Sequence, residues 1–145
     1  MVFREVIRPP IWLLSFIYFM FLSLVVAIWA ALDNRSAFIS WLVFTLWIFF
    51  IAFRWRTEIS LNEQELRVGT AHIELQYLKG ATALNQEQMR LLRTRNADPA
   101  AFLSLAFWIP TGVKIDLDDK RDSVPYWLIS SRNYEELTRT LCTLL

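Results

Sequence analysis

Few residues in this chain could do chemistry, and their types and spacing narrow what that chemistry could be. There is one histidine, His72, and one cysteine, Cys142, far apart in sequence. Zinc and iron sites draw on several imidazole or thiolate ligands, so these two alone leave a ligand set incomplete. His72 falls on the polar side of an alternating stretch and reads as a solvated strand histidine. Cys142 follows Leu141 on a mostly apolar helix and reads as a buried structural thiol. With no second histidine, a Ser-His-Asp arrangement in its familiar form is excluded. Three glycines in the whole chain do not build a phosphate-cradling loop. Asp116, Asp118, Asp119 and Asp122 offer oxygens to a divalent cation. They lack the spacing and glycine of an EF-hand, and Lys120 and Arg121 interrupt them, so a solvated hairpin loop is the better reading. The sequence therefore points to no catalytic residue, no metal and no cofactor, and away from an enzyme. An enzyme on a lipid-linked substrate, with a site built from Asp and Arg alone, is the reading it favours least.

Binding is the better-supported class. Arg90, Arg93 and Arg95 lie on or near one side of a short helix, where each could add about 1 kcal/mol against an anionic leaflet. The alternative is an ordinary solvated helix face. On the strand Tyr126–Ser130, inward Tyr126, Leu128 and Ser130 would turn Trp127 and Ile129 outward. With Trp108 and Arg132 these would form an apolar-aromatic interaction surface. The competing reading is that Leu137 and Leu141 of the terminal helix cover it. From Thr57 onward ten Lys/Arg face twelve Asp/Glu, a balance that speaks against nucleic acid as a partner.

The elements that must position these residues begin with two uncharged apolar runs, Ile11–Leu32 and Ala37–Phe53, separated by Asp33-Asn34-Arg35-Ser36. About 20 apolar residues in a helix cross a hydrocarbon core of about 30 Å, so the spacing predicts a membrane hairpin within residues 1–56. The first run is too long for a signal-peptide h-region and no A-x-A site closes it, which predicts an uncleaved anchor. Arg4 and Arg8 flank one end of the hairpin and Arg54 and Arg56 the other. The positive-inside rule then puts both termini in the cytoplasm and the turn outside, in a cytoplasmic (inner) membrane. Trp12 and Trp55 stand at the expected interface levels. Ser23, Ala27 and Ala31 repeat at a spacing that lets helices approach closely, either within the hairpin or between two copies.

Residues 57–145 predict a single small α+β domain. Period-two alternation marks strands at Thr57–Leu61, Leu66–Val68 and Ala71–Leu75, with a fourth near Gly80–Leu84. Asn85 and Gln88 form a capping box for a short helix ending near Arg95. Three further strands follow near Phe102–Trp108, Val113–Leu117 and Tyr126–Ser130. Asn133 with Glu136 suggests a second capping box for an amphipathic helix over 133–145, with Tyr134, Leu137, Leu141 and Leu144 on one stripe. Seven strands and a terminal capping helix describe a bent antiparallel sheet that resembles the pleckstrin-homology-like barrel, with an additional helix after the fourth strand.

Three segments carry a more specific likeness: Glu65-Leu66-Arg67-Val68-Gly69, Ala97-Asp98-Pro99-Ala100-Ala101-Phe102-Leu103 and Pro125-Tyr126-Trp127-Leu128-Ile129-Ser130-Ser131-Arg132. With Phe3-Arg4-Glu5 at the start, the chain resembles an uncharacterised actinobacterial membrane-protein family, domain of unknown function 3093. That resemblance implies a two-span membrane protein and assigns no activity. The functional expectation is a non-catalytic scaffolding or regulatory module at the cytoplasmic leaflet. Its partners would be the bilayer and either another membrane protein or a second copy; an anionic-lipid-binding module is the alternative.

Overall fold

The computed structural model describes residues 2–120 and 123–145. Asp122, the last carboxylate of the acidic run, lies outside the described residues, as does Arg121. The chain divides into a helical unit, Arg8–Arg56, and a sheet-based unit made of the residues through Ile7 and from Thr57 on.

In the helical unit, α1 (Ile11–Ala31) starts at extended Pro10, whose carbonyl accepts from the Leu13 and Leu14 amides at 3.1 and 3.3 Å. The next helix, α2 (Asn34–Arg54), starts three residues earlier than the apolar run suggests. The Asp33 carboxylate accepts from the Ser36 amide at 2.9 Å, satisfying an N–H that helix geometry leaves without a partner. Trp29 Nε1 donates to Asn34 Oδ1 at 2.6 Å across the turn. Each helix has 21 residues, about 30 Å at 1.5 Å per residue, enough to cross a hydrocarbon core.

Partly covered side chains recur at Leu14, Tyr18, Phe21, Val25 and Ile28 on α1 and at Ala37, Ser40, Phe44, Ile48 and Ile51 on α2. This is the three-four spacing of a helix pair. Phe21 stacks on Phe44 with centroids 4.9 Å apart, and Trp41 Nε1 donates to the Tyr18 hydroxyl at 3.1 Å. Ser23, Ala27 and Ala31 are exposed and lie off this stripe. The expectation that they pack within the hairpin is therefore corrected: Tyr18, Phe21 and Phe44 with mostly aliphatic neighbours fill the seam instead.

The sheet-based unit opens with a strand that the sequence reading assigned to the membrane segment. Strand β1 (Phe3–Ile7) pairs antiparallel with β2 (Thr57–Leu61), from Phe3 opposite Leu61 to Ile7 opposite Thr57. The meander continues through β3 (Glu65–Val68) and β4 (Ala71–Glu74). Gly69, at φ +61°, makes the two-residue turn between them, a conformation that a side chain resists. The hairpin is thus an insertion between two hydrogen-bonded neighbours, and the boundary expected after residue 56 moves. Arg4, expected beside the membrane, is a strand residue paired with Glu58 at 2.7 Å.

The second sheet comprises β5 (Leu78–Leu84), β6 (Phe102–Ser104), β7 (Gly112–Leu117) and β8 (Tyr126–Ser130), in the order β5-β7-β8-β6. Helix α3 (Gln86–Thr94) lies between β5 and β6 in sequence, and this longer connection lets β6 lie parallel to β8 at the far edge. All seven expected strands are present, but the one expected over Phe102–Trp108 ends at Ser104, and Phe107 and Trp108 lie in a turn. The strands form one antiparallel and one mixed sheet, and among the described residues there is no closed barrel.

Asn85 and Gln88 cap α3 reciprocally, at 2.9 and 3.1 Å. The matching expectation at α4 (Tyr134–Leu144) fails, because Asn133 makes no side-chain cap.

One core joins Phe3, Ile59, Leu61, Leu66 and Val68 of the first sheet with Val113, Ile115, Trp127 and Ile129 of the second and with Leu137 and Leu141 of α4. A smaller core on the other face of the second sheet gathers Leu84, Met89, Tyr126 and Leu128. The amphipathic stripes of α3 and α4 supply the covering residues, as their periodicity implies.

Candidate interaction surface at the end of strand β8

Every residue of β8 is buried. Trp127 and Ile129 belong to the large core and Tyr126 and Leu128 to the small one. The outward surface expected from Trp127 and Ile129 is therefore corrected. Period-two alternation puts residues on two faces, but a central strand of a sandwiched sheet has no wet face. Trp127 instead meets Phe102 on the neighbouring strand, with centroids 4.5 Å apart. Leu137 and Leu141 lie in the same core as Trp127 and Ile129, as the competing reading held.

Five polar side chains, Arg93, Ser130, Ser131, Glu5 and Thr111, organise the C-terminal end of β8. Ser130 Oγ accepts from the Ala106 amide at 3.1 Å and from an Arg93 guanidinium nitrogen at 3.0 Å. The same Arg93 nitrogen also lies 3.3 Å from the Ile109 carbonyl. Arg93 is four residues from buried Met89 and shares its inward side of α3. Burial pushes its guanidinium below its usual pKa, because removal from water disfavours the charged form. Of the three arginines proposed to face lipid, Arg93 is thus partly covered and engaged within the protein, while Arg90 and Arg95 are exposed.

Next in the chain, the Ser131 hydroxyl donates to Glu5 Oε2 and the Arg132 amide donates to Glu5 Oε1 at 2.9 Å. Glu5, on β1, is itself buried. A carboxylate taken from water needs such charge-assisted donors. Thr111 completes the arrangement, donating its hydroxyl to the Ser131 carbonyl at 2.8 Å. Sequence reasoning missed Glu5, since a carboxylate at the inward position between Phe3 and Ile7 breaks the apolar alternation that would have announced the strand.

Beside this network the chain makes a turn closed by the Ile109 amide donating to the Ala106 carbonyl at 3.0 Å. Ala106 and Ile109 are buried, whereas Phe107 is 63% exposed at the tip. Trp108 is half-buried and meets the Phe107 ring edge-on at 4.9 Å. Leu103 and Leu105 are also exposed, so exposed apolar residues recur at Leu103 on β6, Leu105 just after it and Phe107 in the turn. Arg132 is exposed. Of the residues expected to form the surface, Trp108 lies beside Phe107 in the turn and Arg132 just past β8, and Leu103, Leu105 and Phe107 supply the exposed apolar part. Their alternate spacing was the available signal.

Elsewhere, His72 is exposed on β4 as its alternation implies. Cys142 is exposed too, contrary to the expectation of a buried thiol, because the buried stripe of α4 runs through its neighbour Leu141. Asp116 is paired with Lys114 at 2.9 Å. Among the described residues no three His, Cys, Asp or Glu side chains gather as a metal site. Arg8, Trp12, Arg54, Trp55 and Arg56 are exposed around the ends of the two long helices.

A family model described as "Protein of unknown function (DUF3093)" matches residues 2–141. No curated protein and no solved structure matches the chain.

Proposed function

We propose, for a chain that belongs to the DUF3093 family of proteins of unknown function, that it is a non-catalytic interaction module anchored in the cytoplasmic membrane of an actinobacterial cell. The two long helices cross the bilayer, and both termini and the sheet-based unit lie on the cytoplasmic side. There the domain scaffolds or regulates a membrane-protein partner or a second copy of itself. The pleckstrin-homology-like character of the domain belongs to this reading, supported by the succession of short strands ending in a covering helix.

The observation that carries the reading is connectivity. The apolar hairpin is spliced between β1 and β2, strands that pair along their whole length. Only Arg8-Pro9-Pro10 and Trp55-Arg56 connect strands to helices. Three extended residues reach about 10 Å at most, so a domain held this way works at the bilayer surface. An enzyme acting on freely diffusing solutes gains nothing from two such short tethers, whereas a module that meets membrane partners does.

The test is crosslinking of the tagged full-length protein in its own membranes, followed by purification in mild detergent and mass spectrometry. A reproducible, stoichiometric second protein or a self-crosslinked dimer is expected. Recovery of uncrosslinked monomer alone ends the interaction reading. Anionic-lipid binding is the second reading, favoured by the exposure of Arg90 and Arg95. It predicts that Arg90→Gln with Arg95→Gln lowers co-purified anionic lipid.

A further inference from the structure

We infer that the turn Ala106–Ile109, with Leu103 and Leu105 beside it, is a membrane-docking element that inserts Phe107 into the lipid interface. The inference rests on the membrane-anchored reading above and names the surface through which the domain meets the bilayer.

Central turn positions ordinarily go to Gly, Pro, Asn, Asp or Ser, for conformational and hydrogen-bonding reasons. Here the two central residues are Phe107 and Trp108, and the turn is firmly held. Its flanking residues, Ala106 and Ile109, are buried in the core. The Ala106 amide is fixed by Ser130, and the Ile109 carbonyl accepts from Arg93. A braced turn that presents a 63% exposed phenylalanine at its tip does not hide that ring by relaxing. Leu103 and Leu105 extend the apolar surface along the same segment, and such patches rimmed by polar residues mark interaction sites.

The occupant follows from where the turn lies within its unit. Ser130 joins the turn to β8, and Ser131 and Arg132 join β8 to Glu5. Glu5 is two residues from Ile7, after which the chain enters the hairpin. The aromatic turn is therefore held by Ser130, whose chain neighbour Ser131 bonds Glu5 on the strand from which a membrane helix departs. The exposed Arg132 suits the headgroup level, where basic side chains are favourable. A lipid surface is the partner that this tether supplies at all times.

Site-directed spin labelling of the full-length protein in phosphatidylethanolamine–phosphatidylglycerol vesicles tests this. Cys142→Ser provides the background, and single cysteines are introduced as Phe107→Cys, Leu105→Cys, Leu24→Cys on the exposed side of α1, and His72→Cys on β4. The expected result is that labels at 107 and 105 collide several-fold less with a water-soluble nickel chelate than the label at 72, and more readily with oxygen. If 107 and 105 match 72 while 24 is shielded, the docking inference is overturned and the anchored reading stands. If 24 is also as accessible as 72, the anchored reading itself has failed. Shielding of 107 in native membranes but not in pure lipid vesicles would make the occupant a protein and overturn docking on lipid.

Discussion

Strands β6 and β8 are hydrogen-bonded parallel neighbours with equally apolar sequences, yet they meet opposite surroundings. Leu103 is paired with Leu128 in register, and the first is 51% exposed while the second is fully buried. The difference comes from position in the sheet. Strand β8 has β7 and β6 on its flanks and a core on each face, whereas β6 is a three-residue edge strand. An exposed apolar edge is a liability unless something covers it. The comparison teaches that apolar residues on β8 stabilise the fold, while Leu103, Leu105 and Phe107, at and after β6, remain available for a partner.

The largest effect expected from this contrast is at the paired leucines. Leu128→Ala leaves a cavity in the small core and should destabilise the sheet-based unit by about 2–5 kcal/mol. Leu103→Ala should stay within about 0.5 kcal/mol of the parent. Thermal unfolding of the full-length protein in nanodiscs compares the two, and equal losses would break the distinction.

Gly112 sharpens the same point, because it opens β7 directly against β8. An added Cβ would stand 2.3 Å from the Ile129 carbonyl oxygen and 2.6 Å from Met89 Cε. Gly112→Ala should therefore cost about 1–3 kcal/mol through overpacking, whereas Gly80→Ala meets no atom within 4 Å and lacks that penalty. The same melting experiment separates them.

Glu5 tests how firmly the end of β8 is held. Glu5→Ala strands the Ser131 hydroxyl and the Arg132 amide and should lose about 1–3 kcal/mol. Arg4→Ala removes only a surface ion pair, worth about 0–1 kcal/mol. Faster amide exchange at Arg132 in Glu5→Ala, and not in Arg4→Ala, is the accompanying signature.

The smallest effect belongs to the helix caps. Asn85→Ala should cost about 1 kcal/mol, while Asn133→Ala, at a position with no side-chain cap, should be close to neutral. Hydrogen exchange in the first turns of α3 and α4 reads this pair.

Much of this was legible because local signals and tertiary structure agree. The uncharged runs announced both long helices, alternation announced β2, β3 and β4, and the Asn85–Gln88 box fixed the start of α3. What escaped depended on long-range pairing. Strand β1 was hidden because inward Glu5 finds its donors at Ser131 and Arg132, just past β8 and 126 and 127 residues away. The facing of Trp127 and Ile129 was misread because alternation cannot tell a half-wet strand from one covered on both sides. Arg93 was grouped with Arg90 and Arg95 by charge, although its spacing from Met89 puts it on the inward side of α3. Phe107 was passed over because its exposure depends on the buried Ala106 and Ile109 that hold the turn.

The central claim is that the hairpin crosses a membrane and carries the sheet-based unit on the cytoplasmic side. The direct measurement is labelling of intact cells with an impermeant thiol reagent, using Arg35→Cys in the inter-helix turn and Glu63→Cys between β2 and β3, each in a Cys142→Ser background. Labelling at 35 with protection at 63 until the cells are opened is the predicted result. Labelling at 63 with protection at 35 would put the domain on the opposite side, and protection or labelling of both alike would contradict a spanning hairpin.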